Sequence, residues 1–306
     1  MKNLLCVLVC LVGLQLAQAQ KTELGLNLEV GHSYTTQSVS VGTISQEMMG
    51  QDIQIDLEVV AAMSFKVLEE SAAGYKLDVQ YTSMVMKMKM PQMEKTFSSE
   101  TPEAADPLSG MLAKMTDKSF QLVLSKKGEV LGVKDLDVLM NEAIDALGDL
   151  PEAQKQQLQK QLGDSYGENA FRGNMGSMLT IFPAKPVAVG ESWSSELKLD
   201  AGMAMNLAMT YTYDGEQGDY YLVSGQGSLS TPELGATVES NGMAMSFEMT
   251  GSMSSHLKID KKTGWVMAGT AEQTIDGKAT IAGNDQMPEG MEIPMKMKTT
   301  TSYTGH

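Results

Sequence analysis

Apolar and polar residues alternate over most of this chain. From Ile53 the odd positions read Ile53, Ile55, Leu57, Val59, Ala61, Met63, Phe65 and Val67, with Asp52, Gln54, Asp56, Glu58, Ser64 and Lys66 between them. Period two over this length predicts a long antiparallel strand with one dry and one wet face. A second run goes Trp193, Leu197, Leu199, Ala201, Met203, Met205, Leu207, Met209, Tyr211, Tyr213. A third reads Met243, Met245, Phe247, Met249, Met253, Leu257, Ile259, and the last reads Met291, Ile293, Met295, Met297, Thr299, Thr301, Tyr303. Runs longer than the usual five or six residues require sheets that twist or curl strongly. Between Leu77 and Met90 the parity changes, from Leu77, Val79 and Tyr81 to Met84, Met86, Met88 and Met90. A bulge near Ser83 is expected there, because without it four methionines would face water.

Helical period is confined to two places. Asp106-Pro107 reads as an N-cap with proline at the first helical position, followed by a stripe of Leu108, Met111, Leu112 and Met115. Further on, Leu136, Leu139, Met140, Ala143, Ile144 and Leu147 form one stripe, Pro151 opens a Gln-rich helix, and Phe171, Met175, Met178, Leu179 and Phe182 form another before Pro183.

The segments on either side of this helical stretch look alike. Val30-Gly31-His32-Ser33-Tyr34 corresponds to Val189-Gly190-Glu191-Ser192-Trp193, and Ser125-Lys126-Lys127-Gly128 to Asp260-Lys261-Lys262-Thr263-Gly264. Each pair opens a strand or makes a short hairpin turn in which glycine takes the left-handed conformation. The expected fold class is therefore mainly β (α+β): two tandem curved antiparallel sheets, related by internal duplication and joined by a helical connector. The expected boundaries are a signal peptide over 1–19, an N-terminal β half over 20–134 with a helical insert at about 104–117, a connector over 135–183, and a C-terminal β half over 184–306.

Composition adds a compartment. Lys2 precedes an apolar run from Leu4 to Leu16, and Ala17 and Ala19 are small residues at the positions a signal peptidase requires, so cleavage is expected between Ala19 and Gln20. The run is shorter than a membrane span, and no transmembrane segment is expected in the mature chain. Both cysteines, Cys6 and Cys10, fall within it, and Val9 is larger than a lipoprotein signal tolerates before the cysteine. The mature chain then has no disulfide and depends on its core. It is expected to be periplasmic or secreted. The formal charge is −15, and −16 once Lys2 is removed, which repels phosphate backbones and excludes nucleic acid as a partner.

No catalytic residue, metal site or cofactor is expected, and the protein does not read as an enzyme. His32, His256 and His306 are far apart in sequence, and there is no nucleophile elbow, phosphate loop or H-E-x-x-H. The Asp214-Gly215-Glu216-Gln217-Gly218-Asp219 cluster lacks calcium-loop spacing and reads as a solvated turn. Methionine is the outlier, at 26 against six phenylalanines. Its flexible thioether can simply fill a core, or can line a cavity for hydrophobic small molecules or lipids of variable shape. The candidate binding residues are Met86, Met88, Met90, Met203, Met205, Met209, Met243, Met245, Met249, Met295 and Met297. Three readings stand: a binder of a hydrophobic ligand or partner on these faces, a structural envelope-assembly protein with a packed core, and a Cu(I) protein using M-x-M pairs such as Met86/Met88.

The Gln46-Glu47-Met48-Met49-Gly50-Gln51 segment, the V-G-x-S-W entry at Val189 to Trp193 and the D-x-K-T-G turn at Asp260 to Gly264 resemble a family of exported proteins of unknown function common in the Bacteroidota. The resemblance implies a periplasmic or outer-membrane-associated protein with two β-rich halves, and it supplies no catalytic residue.

Overall fold

Each alternating run becomes strand, because a stretch with one apolar face has to bury it and period two places that face on one side of a sheet. The computed structural model describes residues 21–48, 50–101, 106–116, 118–145, 151–200, 203–232, 236–240, 243–283 and 290–306. The expected signal peptide and its Ala19–Gln20 junction lie outside these residues, as does the side chain of Met243.

The first half holds β1 (Ser33–Met48), β2 (Gln51–Ser71), β3 (Gly74–Met90), β4 (Met93–Ser98), α1 (Pro107–Thr116), β5 (Ser119–Ser125) and β6 (Val130–Lys134). Three helices follow: α2 (Leu136–Asp145), α3 (Glu152–Tyr166) and α4 (Glu168–Leu179). The second half holds β7 (Ser192–Asp200), β8 (Ala204–Gln217), β9 (Tyr220–Ser230), β10 (Ala236–Ser240), β11 (Met243–Asp260), β12 (Val266–Ile281) and β13 (Met291–Gly305). As the sequence suggests, Asp106 caps α1: its carboxylate accepts from the Leu108 amide at 3.2 Å and from the Ser109 hydroxyl. No described helix is long and apolar enough to cross a membrane.

The two separate sheets expected from the sequence are one open antiparallel sheet. Its order is β6-β5-β3-β2-β1-β13-β12-β11-β9-β8-β7, with β4 beside β3 and β10 beside β11. The last strand makes the difference. β13 runs from Gln46↔Met295 to Thr36↔Gly305 along β1, and pairs with β12 along its other side. It thereby covers two edges that would otherwise present unpaired backbone groups. A second correction concerns the run from Trp193 to Tyr213, which is two strands: the chain reverses between Asp200 and Ala204, placing Leu199 opposite Met205. The reversal conserves parity, so the alternation reads through it unbroken. The parity change in β3 is a register shift: Ala62 faces Ser83 and Met63 faces Tyr81, leaving Thr82 as the extra residue. Met84, Met86 and Met88 therefore come opposite Ala61, Val59 and Leu57.

Read in one direction across the sheet, each half runs sixth, fifth, third, second and first strand of that half, with β13 between the two, and local details correspond. The Gly31 amide donates to Val67 O, and the Gly190 amide to Tyr213 O. The return bonds run from Val67 to His32 and from Tyr213 to Glu191. In β2 and β8 alike, one extra residue follows that partner before pairing resumes. Gly128 and Gly264 both have positive φ, 78° and 70°, and a Cβ on either would overlap a carbonyl oxygen, of Leu179 and of Gly25 respectively.

The sheet curls so that its outer strands, β6 and β7, both pack against α4. Gly173 permits the approach to β7: a Cβ there would lie 3.3 Å from Leu199 Cα. One end of the curl is filled by core. Phe65 and Trp265 are fully buried with ring centroids 5.1 Å apart, and the Trp265 indole donates to Thr35 O at 3.2 Å. The segment ahead of β1 seals that end with buried Leu24, Leu26 and Leu28. Its amides bond to both hairpin turns, Leu26 to Lys126 O and Asn27 to Thr263 O. The convex face carries exposed ion pairs, Lys296–Asp276 at 3.0 Å, Lys278–Glu292 at 2.6 Å and Lys87–Glu58 at 2.8 Å. Pairs this exposed contribute little stability and mark the wet side.

Candidate functional site

Above the sealed end the concave face is not filled. A cavity of about 420 Å³ lies between α4 and strands from both halves, within the range of small-molecule sites. Pairing fixes which residues share the concave face on which it lies. Across the sheet one row runs Val59, Ser40, Thr301, Ala271, and the next runs Leu57, Gly42, Thr299, Gln273, Met253, Gly227, Met209. β1 and β13 contribute Thr36, Ser38, Ser40, Thr299 and Thr301 to the lining. Methionines form much of the remaining wall: Met63 on β2, Met175 and Met178 on α4, Met205 on β8, Met253 on β11, and Met203 just ahead of β8.

Among the described residues, no aspartate, glutamate, lysine, arginine or histidine lines the cavity. The phenols near it also stay neutral. Burial raises the pKa of Tyr303, which borders the cavity, and pushes that of Tyr211 up to about 12. Most of the hydroxyls have hydrogen-bonding capacity to spare. Ser40 and Thr301 bond to each other at 2.9 Å, and Ser38 makes a long 3.5 Å contact to Ala61 O. One strand beyond Ala271, the Ser255 hydroxyl is buried without a protein partner.

The eleven predicted methionines separate into groups. Met203 and Met205 line the cavity. Met209 and Met249 share that face but are 2% and 1% exposed and belong to the packed core. Each sits opposite a glycine, Gly227 and Gly277, whose missing side chain leaves room for the thioether. Met86, Met88, Met90, Met245, Met295 and Met297 are half-buried, toward the hairpin ends beyond the cavity. Met245 and Met295 flank a small cluster of Ala279, Ile281 and Ile293. Met243 is fixed only in register, opposite Ser240.

Met63, Met175, Met178, Met253 and the whole hydroxyl wall were not singled out from sequence. Thr299 and Thr301 do continue the odd row of Met295 and Met297, which was the available signal. Among the described residues no three His, Cys, Asp or Glu side chains come together as a metal site. The acidic turn after Tyr213 is spent on local partners: Asp214 accepts from Ser224 at 3.0 Å, and Glu216 pairs with Lys261.

No curated protein matches this chain. Among solved structures it is similar to lipovitellin, in a structure titled for its lipid–protein interactions, at 8% identity and TM-score 0.48, covering 92% of this chain. The chain spans 25% of that one. It is also similar to Salmonella typhi OmpF in complex with daunomycin, at 8% identity and TM-score 0.24, covering 90% of this chain and 98% of that one. Pseudomonas aeruginosa OpdQ gives 9% identity and TM-score 0.19, over 90% and 99% of the two chains. Residues 72–266 match a family described as a family of unknown function (DUF6263), and the chain belongs to that family.

Proposed function

We propose that the protein is a non-catalytic binder that holds an uncharged hydrophobic molecule inside its curved sheet. The observation that carries this reading is the cavity of about 420 Å³ with methionines on its wall and, among the described residues that line it, no carboxylate, amine, guanidinium or imidazole. Thioethers adapt to ligands of different shape at little strain. Met209 and Met249 serve the core, so the reading rests on Met203 and Met205 together with Met63, Met175, Met178 and Met253. The test is uptake of the uncharged fluorophore N-phenyl-naphthylamine by the native mature chain. Saturable uptake is expected, and Met205→Glu should abolish it while the β-sheet circular dichroism persists, because an unpaired charge in an apolar cavity costs several kcal/mol. A native chain that ignores the probe until it is unfolded refutes the reading.

The protein acts outside the cytoplasm in this account, after removal of residues 1–19. The Leu4–Leu16 run and the small residues Ala17 and Ala19 support this, and a secreted mass beginning elsewhere than Gln20 would contradict it. The two halves are read as copies of one ancestral unit. The shared strand order, the matching bonds of Gly31 and Gly190, and the matching extra residues in β2 and β8 support that reading.

A further inference from the structure

The cavity has two unlike sides, and its charge balance restricts what can enter. We infer that its ligand is a neutral lipid whose hydroxyl or ester groups bond to the β1–β13 hydroxyls while its chain lies against the methionines. The inference rests on the binding function proposed above and names the ligand class.

Ser40 and Thr301 face each other across the β1–β13 pair, and Thr299 lies one row along, opposite Gly42. The glycine leaves that part of the wall without a side chain, so the Thr299 hydroxyl has no bulky cross-strand neighbour on β1. The Ser40–Thr301 bond uses a single proton, so these two oxygens still hold one donor and several lone pairs for a ligand. A purely hydrocarbon ligand would leave those groups desolvated and unpaired, which is unfavourable.

An anionic lipid meets the opposite difficulty. The nearest cations on β13, Lys296 and Lys298, occupy the positions that alternate with the lining row, and Lys296 pairs with Asp276 on the convex face. A carboxylate or phosphate inside would have no counter-ion among the described lining residues, in a chain whose formal charge is already −15. Beyond the cavity the same face continues through half-buried Met297, Met295 and Met88, which gives a chain longer than the cavity an apolar path toward the hairpin ends.

The test is displacement of N-phenyl-naphthylamine from the native mature chain by three competitors: monooleoylglycerol, oleate at about pH 8 where its carboxylate is ionised, and octadecene. Monooleoylglycerol should displace the probe at concentrations roughly tenfold below either of the others, a preference of the size of one or two net hydrogen bonds. The double variant Thr299→Val, Thr301→Val keeps side-chain volume and strand propensity. It should weaken monooleoylglycerol by roughly three- to tenfold and leave octadecene unchanged. Equal displacement by oleate or octadecene, or no effect of the double variant, overturns the neutral-lipid assignment while the binding function stands. Absence of probe uptake in the native chain overturns both.

Discussion

Replacing Ala271 with leucine turns the difference between an open cavity and a packed core into a change of sign. Ala271 lines the cavity, in the row between Thr301 and Ser255, and the residue is 7% exposed. Leucine adds three carbon atoms, worth about 0.8 kcal/mol each if they fill space that apolar atoms now leave empty. Ordering the longer side chain costs about 0.5–1 kcal/mol. The net is a stabilisation of roughly 1.5 kcal/mol, or a rise in Tm of about 2–3 °C for a chain of this size. In a packed core the same carbons would overfill the site and cost about 1–3 kcal/mol, lowering Tm. Scanning calorimetry of the delipidated mature chain reads the sign directly, and probe uptake should fall as Tm rises. A lower Tm for Ala271→Leu, with uptake unchanged, refutes the cavity as the site of binding.

The hairpin glycines give a graded comparison. Gly264→Ala should cost more than about 3 kcal/mol in urea unfolding, because it combines a positive φ with overlap on Gly25 O, whereas Gly190→Ala, in open space, should cost about 1–2 kcal/mol. Burial raises the Tyr211 pKa to about 12, above the unfolded value near 10, so the folded state retains its phenol proton after the unfolded chain has lost it. Stability should hold below about pH 10 and fall as pH rises toward 12, and Tyr211→Phe should flatten that decline in urea titrations at stepped pH. In a chain prepared from Gln20 onward, which lacks Cys6 and Cys10 and so has no thiol, Gly173→Cys with Leu199→Cys should oxidise to an intramolecular disulfide that tethers α4 to β7. Mass spectrometry showing two persistent free thiols would contradict the packing of α4 on that edge.

The strands were legible because period two survives in sequence wherever one face is dry. The runs from Ile53 and Met243 lie within β2 and β11, and the parity change before Met84 correctly marked an extra residue. The partner of β13 was not legible. Nothing in Met291–Gly305 says that its two sides meet β1 and β12, since pairing is decided by a strand at the opposite end of the chain. The reversal between Asp200 and Ala204 was hidden for a local reason, because it preserves parity. At the site, Met203 and Met205 were found by alternation. Met209 and Met249 looked the same but pack outside the cavity against Gly227 and Gly277, glycines too distant in sequence to be read as their partners. The hydroxyl wall escaped notice because Thr36, Ser38 and Ser40 are small polar residues that no apolar alternation marks as enclosed. Only the curl of the sheet encloses them.

The central claim, that the curved sheet encloses space for a hydrophobic guest, is tested most directly by a crystal structure of the mature chain grown with a bromine-labelled monoacylglycerol. The account predicts anomalous bromine density on the concave face, with the glycerol end within hydrogen-bonding distance of Thr299 or Thr301 and the chain against Met63, Met205 and Met253. A concave face filled by its own side chains, with bromine absent or bound only on the convex surface, would contradict it.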